Sequence, residues 1–176
     1  LATSSFGQNF SVTPIQMITA IAAVANGGYL VQPHVVDRML DSDGNIVKTT
    51  DTSYKRQVIS EDVSKRMTAI LQKNATSESG KNGYVAGYRV AGKTGTAQNP
   101  HGIDHSAFMG FAPYNDPQIA VAVYVENAGY GAAFGVPIGA LVIERYLRGH
   151  ISKERKYLEQ RMLESNTIRY SGTKKH

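Results

Sequence analysis

Apolar residues recur at helical spacing immediately after Thr13-Pro14: Ile15, Ile18, Ile21, Ala22 and Ala25 mark one face before Asn26-Gly27-Gly28 ends the pattern. Thr13 is of the type that caps a helix N-terminus, and a proline at the first helical position removes only an N–H that would go unpaired anyway, so a helix is predicted between these signals. Tyr29 to Leu40 reads as extended, and Asp43-Gly44 supplies a turn into Asn45-Ile46-Val47, which predicts a hairpin. Ser60 with Glu61 and Asp62 opens a second helix, whose Val63, Met67, Ile70 and Leu71 are expected to face the core.

Beyond this the period changes. Strands are predicted near 86–98, 106–113 and 118–126, joined by the turns Asn99-Pro100-His101-Gly102 and Asn115-Asp116-Pro117. Links this short make neighbouring strands antiparallel. Gly131, Gly135 and Pro137 end the last strand and start a helix carrying Ile138, Leu141, Val142, Ile143 and Tyr146, which Gly149 closes. Ser152 to Ser165 reads as one more helix, mostly polar. Strands grouped together and flanked by helices make the fold class α+β, an antiparallel sheet with helices packed on it.

Composition narrows the partners. The 176 residues are 41% hydrophobic, enough for a substantial core, and one main domain is expected over 1–149 with a basic tail over 150–176. There is no apolar run of about 18 residues and no cysteine, so neither a membrane span nor thiol chemistry is written in the sequence. Positions 144–176 hold nine Lys or Arg against four Glu, which accounts for the whole net charge of +5. A nucleic-acid protein would place its cations around a motif face, so no nucleic-acid partner is expected, and the tail reads as a solvated helix.

Candidate chemistry concentrates in Gly87-Tyr88-Arg89-Val90-Ala91-Gly92-Lys93-Thr94-Gly95-Thr96-Ala97-Gln98. The first eight residues fit the phosphate-cradling pattern G-x-x-x-x-G-K-[ST], which requires a helix starting at the lysine. Gly95, Thr96, Asn99, Pro100 and Gly102 would break such a helix, whereas alternation of Tyr88 and Val90 with Arg89 and Ala91 is strand grammar. On a strand, Thr94 and Thr96 share a face, Lys93 offers a fixed cation, and Gly95 leaves room for a ligand backbone. Such an edge suits a carboxylate-bearing peptide laid alongside it, with a backbone N–H toward a developing oxyanion. His101 and His105 stand four apart near Asp104, but in a loop with no further ligand, so no metal is expected. Asp104-His105-Ser106 contains the residue types of a catalytic triad, yet adjacent residues on a strand face opposite ways and cannot form one.

Lys93-Thr94-Gly95-Thr96 also fits the third motif of penicillin-interacting serine enzymes. Around it, Ser5-Phe6-Gly7-Gln8, Val12-Thr13-Pro14-Ile15-Gln16-Met17, Asn26-Gly27-Gly28, Pro33-His34-Val35-Val36, Phe108-Met109-Gly110-Phe111-Ala112-Pro113 and the run from Ile119 to Glu126 follow in order. This succession resembles the C-terminal part of class B penicillin-binding proteins over roughly positions 4 to 149. Wording up to the Lys-Thr-Gly motif is similar to septal or sporulation-type enzymes, and from Asn99 onward, with Ala128-Gly129-Tyr130-Gly131, to elongation-type ones.

The resemblance implies a β-lactamase/transpeptidase-like fold and a peptidoglycan DD-transpeptidase anchored on the extracytoplasmic face of the bacterial membrane. It implies stem peptides and β-lactams as ligands, other cell-wall synthesis proteins as partners, and no cofactor. It gives Lys93 an electrostatic role, Thr94 and Thr96 the substrate carboxylate, and the Thr96 N–H an oxyanion; Gly95, Ala97 and His105 would line the cleft. The family's Ser-x-x-Lys nucleophile motif and Ser-x-Asn motif are expected upstream of Leu1. Ser171-Gly172-Thr173-Lys174 matches the first only by coincidence, in a polar tail. A non-catalytic β-lactam sensor of the same fold stands as the alternative.

Overall fold

The computed structural model describes residues 11–75 and 87–165, with Gly7 and Val85. The expected loop Ser79–Gly83, the tail motif Ser171–Lys174, and Ser5, Phe6 and Gln8 of the first motif lie outside the described residues.

Helix α1 spans Pro14–Ala25, and Thr13 caps it as predicted: its hydroxyl accepts from the Gln16 N–H while the Gln16 side chain accepts from the Thr13 N–H. The strands β1 (Tyr29–Leu30) and β4 (Arg56–Gln57) pair, and β2 (Arg38–Leu40) with β3 (Ile46–Thr49) forms the predicted hairpin around Asp41–Asn45. Helix α2 covers Glu61–Ala75. The central sheet has the order β5-β6-β7, from Ala91–Ala97, His105–Ala112 and Ile119–Val125, all antiparallel. Its first strand begins later than the expected 86, because Gly87 takes a positive φ of 83° in a bend closed by the Val85–Tyr88 bridge. Helix α3 (Gly135–Arg148) ends in a left-handed Gly149, and a short turn of 3₁₀ helix (Lys153–Arg155) leads into α4 (Lys156–Glu164).

Pairing assigns every side chain of the sheet to one of two faces. Phe111, Ala91, Met109 and Ala120 meet Ile18, Ile21 and Val24 of α1 and Leu71 of α2. Phe108, Val90, Ala112 and Val121 meet Val136, Ala140 and Ile143 of α3. The result is three layers, with the sheet between α1/α2 and α3, an α+β architecture as expected.

Helix α1 packs Ile18, Ile21 and Ala25 inward as expected, whereas α2 and α3 are turned about their axes from the expected orientation. On α2 the inward stripe is Ser64, Thr68, Leu71 and Ala75, not Val63, Met67 and Ile70, which are exposed. Small residues win here because they let α2 lie close to α1, where the buried Ser64 hydroxyl donates to the Val24 carbonyl at 2.7 Å. On α1, Ile15 is likewise exposed. On α3 the contact is through Gly139, Ala140 and Ile143 rather than Leu141, while Val142 and Tyr146 face outward. The cause is Phe108, whose ring is wedged among three glycines: a Cβ on Gly92, Gly110 or Gly139 would stand 2.7, 2.7 or 2.5 Å from it. A bulkier helix face could not approach the sheet.

The tail is not a uniformly solvated helix. Ile151 and Leu158 are buried, and Glu144 of α3, fully buried, pairs with Arg155 Nε at 3.0 Å and accepts from the Ser152 N–H at 3.1 Å. Burial pulls the Arg155 guanidinium below its usual range, with Glu144 acting in the opposite sense. Among the described residues no helix is long and apolar enough to cross a membrane.

Candidate active site

Among the described residues β5 is the outer strand of its sheet, and its free edge can be read from its hydrogen bonds. The Gly92 carbonyl accepts from Asn74 Nδ2 of α2 at 2.9 Å, and the Thr94 carbonyl accepts from Lys93 Nζ at 2.7 Å. Both carbonyls therefore point away from β6. Alternate residues of a strand present their N–H and C=O to the same edge, so the Thr96 N–H faces outward with them.

Side chains alternate with the same period, between the two faces of the sheet. Lys93 shares a face with Met109, while Thr94 and Thr96 share the other with Phe108 and Ser106. Lys93 is exposed, and its amine bends round the strand edge to stand 3.4 Å from Thr94 Oγ1. A cation, a half-buried hydroxyl and an outward N–H thus sit within four consecutive pairs of one edge. Gly95 carries no side chain between them, and the Ala107 methyl lies 3.3 Å from where its Cβ would be.

Thr96 differs from the sequence reading in one respect. Its hydroxyl accepts from the Gly131 N–H at 3.2 Å, so it already ties the connection between β7 and α3 to the motif strand. Gly131 lies flat on that strand; a Cβ there would meet the Ala107 carbonyl at 2.7 Å and overlap the Gly95 carbonyl. Glycine at 131 is thus required by close approach, not only by the strand ending. Ser106 completes the seam: fully buried, its Oγ donates to the Tyr130 carbonyl at 3.0 Å and accepts from the Gly135 N–H at 2.9 Å. Asn74 did not stand out in the sequence, and Ser106 did so only within the dismissed triplet Asp104-His105-Ser106. Asn74 belongs to a polar stretch of α2, and Ser106 is the one residue of Asp104-His105-Ser106 with a structural task at the site.

Ala97 and His105 pair across β5 and β6. The His105 ring is held toward β7, accepting from the Asn127 N–H through Nδ1 at 3.1 Å and packing on Tyr124 with centroids 5.4 Å apart. Burial, and then the Glu126 carboxylate, push the Tyr124 phenol above its usual range. Asp104 Oδ1 accepts from the Asn99 N–H, and the His101 N–H donates to Asn99 Oδ1, so this loop is organised around Asn99. Lys93 stands inside a strand, with no helix beginning at it, which removes the phosphate-loop alternative.

Residues 1–144 match the family model described as the penicillin binding protein transpeptidase domain. The chain belongs to this family. Stage V sporulation protein D of Bacillus subtilis is 39% identical over 157 residues, covering 84% of this chain and 24% of that protein. The peptidoglycan D,D-transpeptidase PbpA of Mycolicibacterium smegmatis is 34% identical over 160 residues, 84% of this chain and 32% of that protein. The imipenem acyl-enzyme complex of penicillin-binding protein A from M. tuberculosis superposes with a TM-score of 0.77 at 33% identity, covering 84% of this chain and 34% of that one. The chain thus spans about a third or less of the length of these relatives, and its sheet with flanking helices has the penicillin-binding fold.

Proposed function

We propose that this chain is the Lys-Thr-Gly wall of a peptidoglycan D,D-transpeptidase, a serine acyltransferase acting on D-Ala-D-Ala stem peptides outside the bacterial membrane. The observation that carries the reading is the free edge of β5, along which Lys93 Nζ, Thr94 Oγ1 and the Thr96 N–H follow one another without a pairing strand among the described residues. A stem peptide laid along this edge pairs its main chain with the outward groups of β5, and its terminal carboxylate takes the Thr94 hydroxyl in the field of Lys93. A serine supplied by the rest of the enzyme attacks the penultimate D-Ala carbonyl; the C–N bond breaks, and the terminal D-Ala leaves with a proton on its amine. The oxyanion formed on the way faces the Thr96 N–H. An amine of a neighbouring stem peptide then attacks the ester, forms the cross-link amide and returns the serine hydroxyl. A β-lactam carries a carboxylate and a strained acyl group in the same relation, and takes the same place.

The test uses the full-length enzyme. Intact-mass spectrometry after exposure to benzylpenicillin should show one penicilloyl adduct, and a D-Ala-D-Ala stem peptide should lose D-Ala. An adduct without D-Ala release would assign the fold to a β-lactam sensor, and no adduct would remove the family's chemistry from this chain.

A further inference from the structure

Residues after 144 lie outside the matched family region, yet one of them reaches the motif strand in two steps. Arg161 Nη2 of α4 donates to the Ala133 carbonyl at 2.8 Å. Ala133 belongs to a tight turn, its N–H donating to the Tyr130 carbonyl at 2.9 Å, while the Val136 N–H donates to the Gly131 carbonyl at 3.0 Å. From that turn the Gly131 N–H reaches Thr96 Oγ1. The anchor at the far end is firm: Leu158 is 2% exposed, and Arg155 is held by the buried Glu144, so α4 presents Arg161 from a fixed base.

We infer that Arg161 is a positioning residue of the active site: through the Ala133 carbonyl it fixes the 130–134 turn, and through Gly131 it orients the Thr96 hydroxyl. The inference rests on the proposed transpeptidase reading and extends it to a helix that the family match does not include. The chemical reason lies in the hydroxyl. Once Oγ1 accepts from Gly131, its single hydrogen is the only group it can donate, and the accepted bond polarises that O–H toward a carboxylate acceptor. If the turn drifts, the Thr96 rotamer is released and the hydroxyl no longer meets the ligand preorganised. Arg161 itself is exposed, and among the described residues its guanidinium meets the Ala133 carbonyl and not the cleft edge, so its effect passes through the turn.

The experiment measures acylation of the full-length enzyme by a fluorescent penicillin, resolved into apparent binding constant and limiting rate. Arg161→Met should lower the second-order acylation constant about tenfold, mostly by weakening binding, with a melting temperature close to that of the parent. Arg161→Lys, which keeps a donor, should recover most of the loss. In a Thr96→Val background Arg161→Met should cause almost no further loss, because the group it orients is gone. Hydrogen exchange at the Gly131 amide should quicken in Arg161→Met. Acylation of Arg161→Met at the parent rate, or an undiminished loss in the Thr96→Val background, would overturn the inference. An unmodified enzyme that does not acylate would instead remove the proposed function, and this inference with it.

Discussion

At the scale of single residues, two hydroxyls on one face of the motif strand are set apart by a hydrogen bond to Gly131. Under the proposed reading Thr94 keeps its hydroxyl for a ligand, with Lys93 Nζ 3.4 Å away, whereas Thr96 shares its hydroxyl with Gly131. In the full-length enzyme Thr94→Val should therefore slow acylation by a β-lactam by the loss of one charge-assisted hydrogen bond, about 1.5–3 kcal/mol, or roughly tenfold to a hundredfold. Its melting temperature should stay near that of the parent; an unchanged acylation rate with lowered melting temperature would reverse the assignment. Gly139 is governed by packing instead. Adding a methyl 2.5 Å from the Phe108 ring leaves neither partner room to move, so Gly139→Ala should destabilise by about 1–3 kcal/mol in a denaturant titration.

At the scale of elements, local hydrogen bonds hold the pieces whose packing is thin. The β2–β3 hairpin is exposed along both strands, and its turn is organised by Asp41, whose carboxylate accepts from the Asn45 side chain and from the N–H groups of Asn45 and Asp43. The Asn45 side chain first, then the Asn45 N–H, hold the Asp41 carboxyl below its usual range, with Asp43 and Gly44 adding to the effect. A carboxyl depressed in the folded state stabilises above its unfolded value of about 3.9 and loses that contribution as pH falls through the folded value. Acid below that range should thus loosen the hairpin before the sheet, seen as faster exchange of the Asn45 amide while β6 amides stay protected. An Asn45 amide protected as well as those of β6 at that pH would show that Asp41 is not the clasp.

At the scale of the whole molecule, α4 is joined to the body by a buried ion pair rather than by the solvated charge its composition suggested. Replacing Glu144 by Leu would remove the buried carboxylate that faces Arg155, 12% exposed at its side chain, and breaking such a pair costs roughly 3–5 kcal/mol. Glu144→Leu should accordingly lower stability by that order and release α4, which limited proteolysis after residue 149 would report. The isolated 176-residue chain should give no penicilloyl adduct by intact mass, since covalent catalysis needs an activated serine beside its base and the strand supplies only the receiving wall. A stoichiometric adduct on any of its serines would contradict the proposed division of the active site.

What the sequence by itself determined were features that neighbours in the chain decide among themselves. The Thr13-Pro14 cap, the end of α1 at Asn26-Gly27-Gly28, the Asp43-Gly44 hairpin, the three antiparallel strands and the placement of Lys93 on a strand all follow from local sterics and hydrogen bonding, and the order of short motifs carried the family. The tertiary structure decided which face each helix buries. Hydrophobic spacing nominated Val63, Met67 and Ile70 of α2 and Leu141 of α3, but close approach to the sheet selected Ser64, Gly139 and Ala140, because the space left by Phe108 and by α1 admits only small side chains. The tasks of Gly131, Ser106 and Arg161 were set by the fold as well. Each acts through a hydrogen bond between a backbone group and a side chain about 24 to 35 positions apart, a relation that residue type and spacing along the chain do not encode.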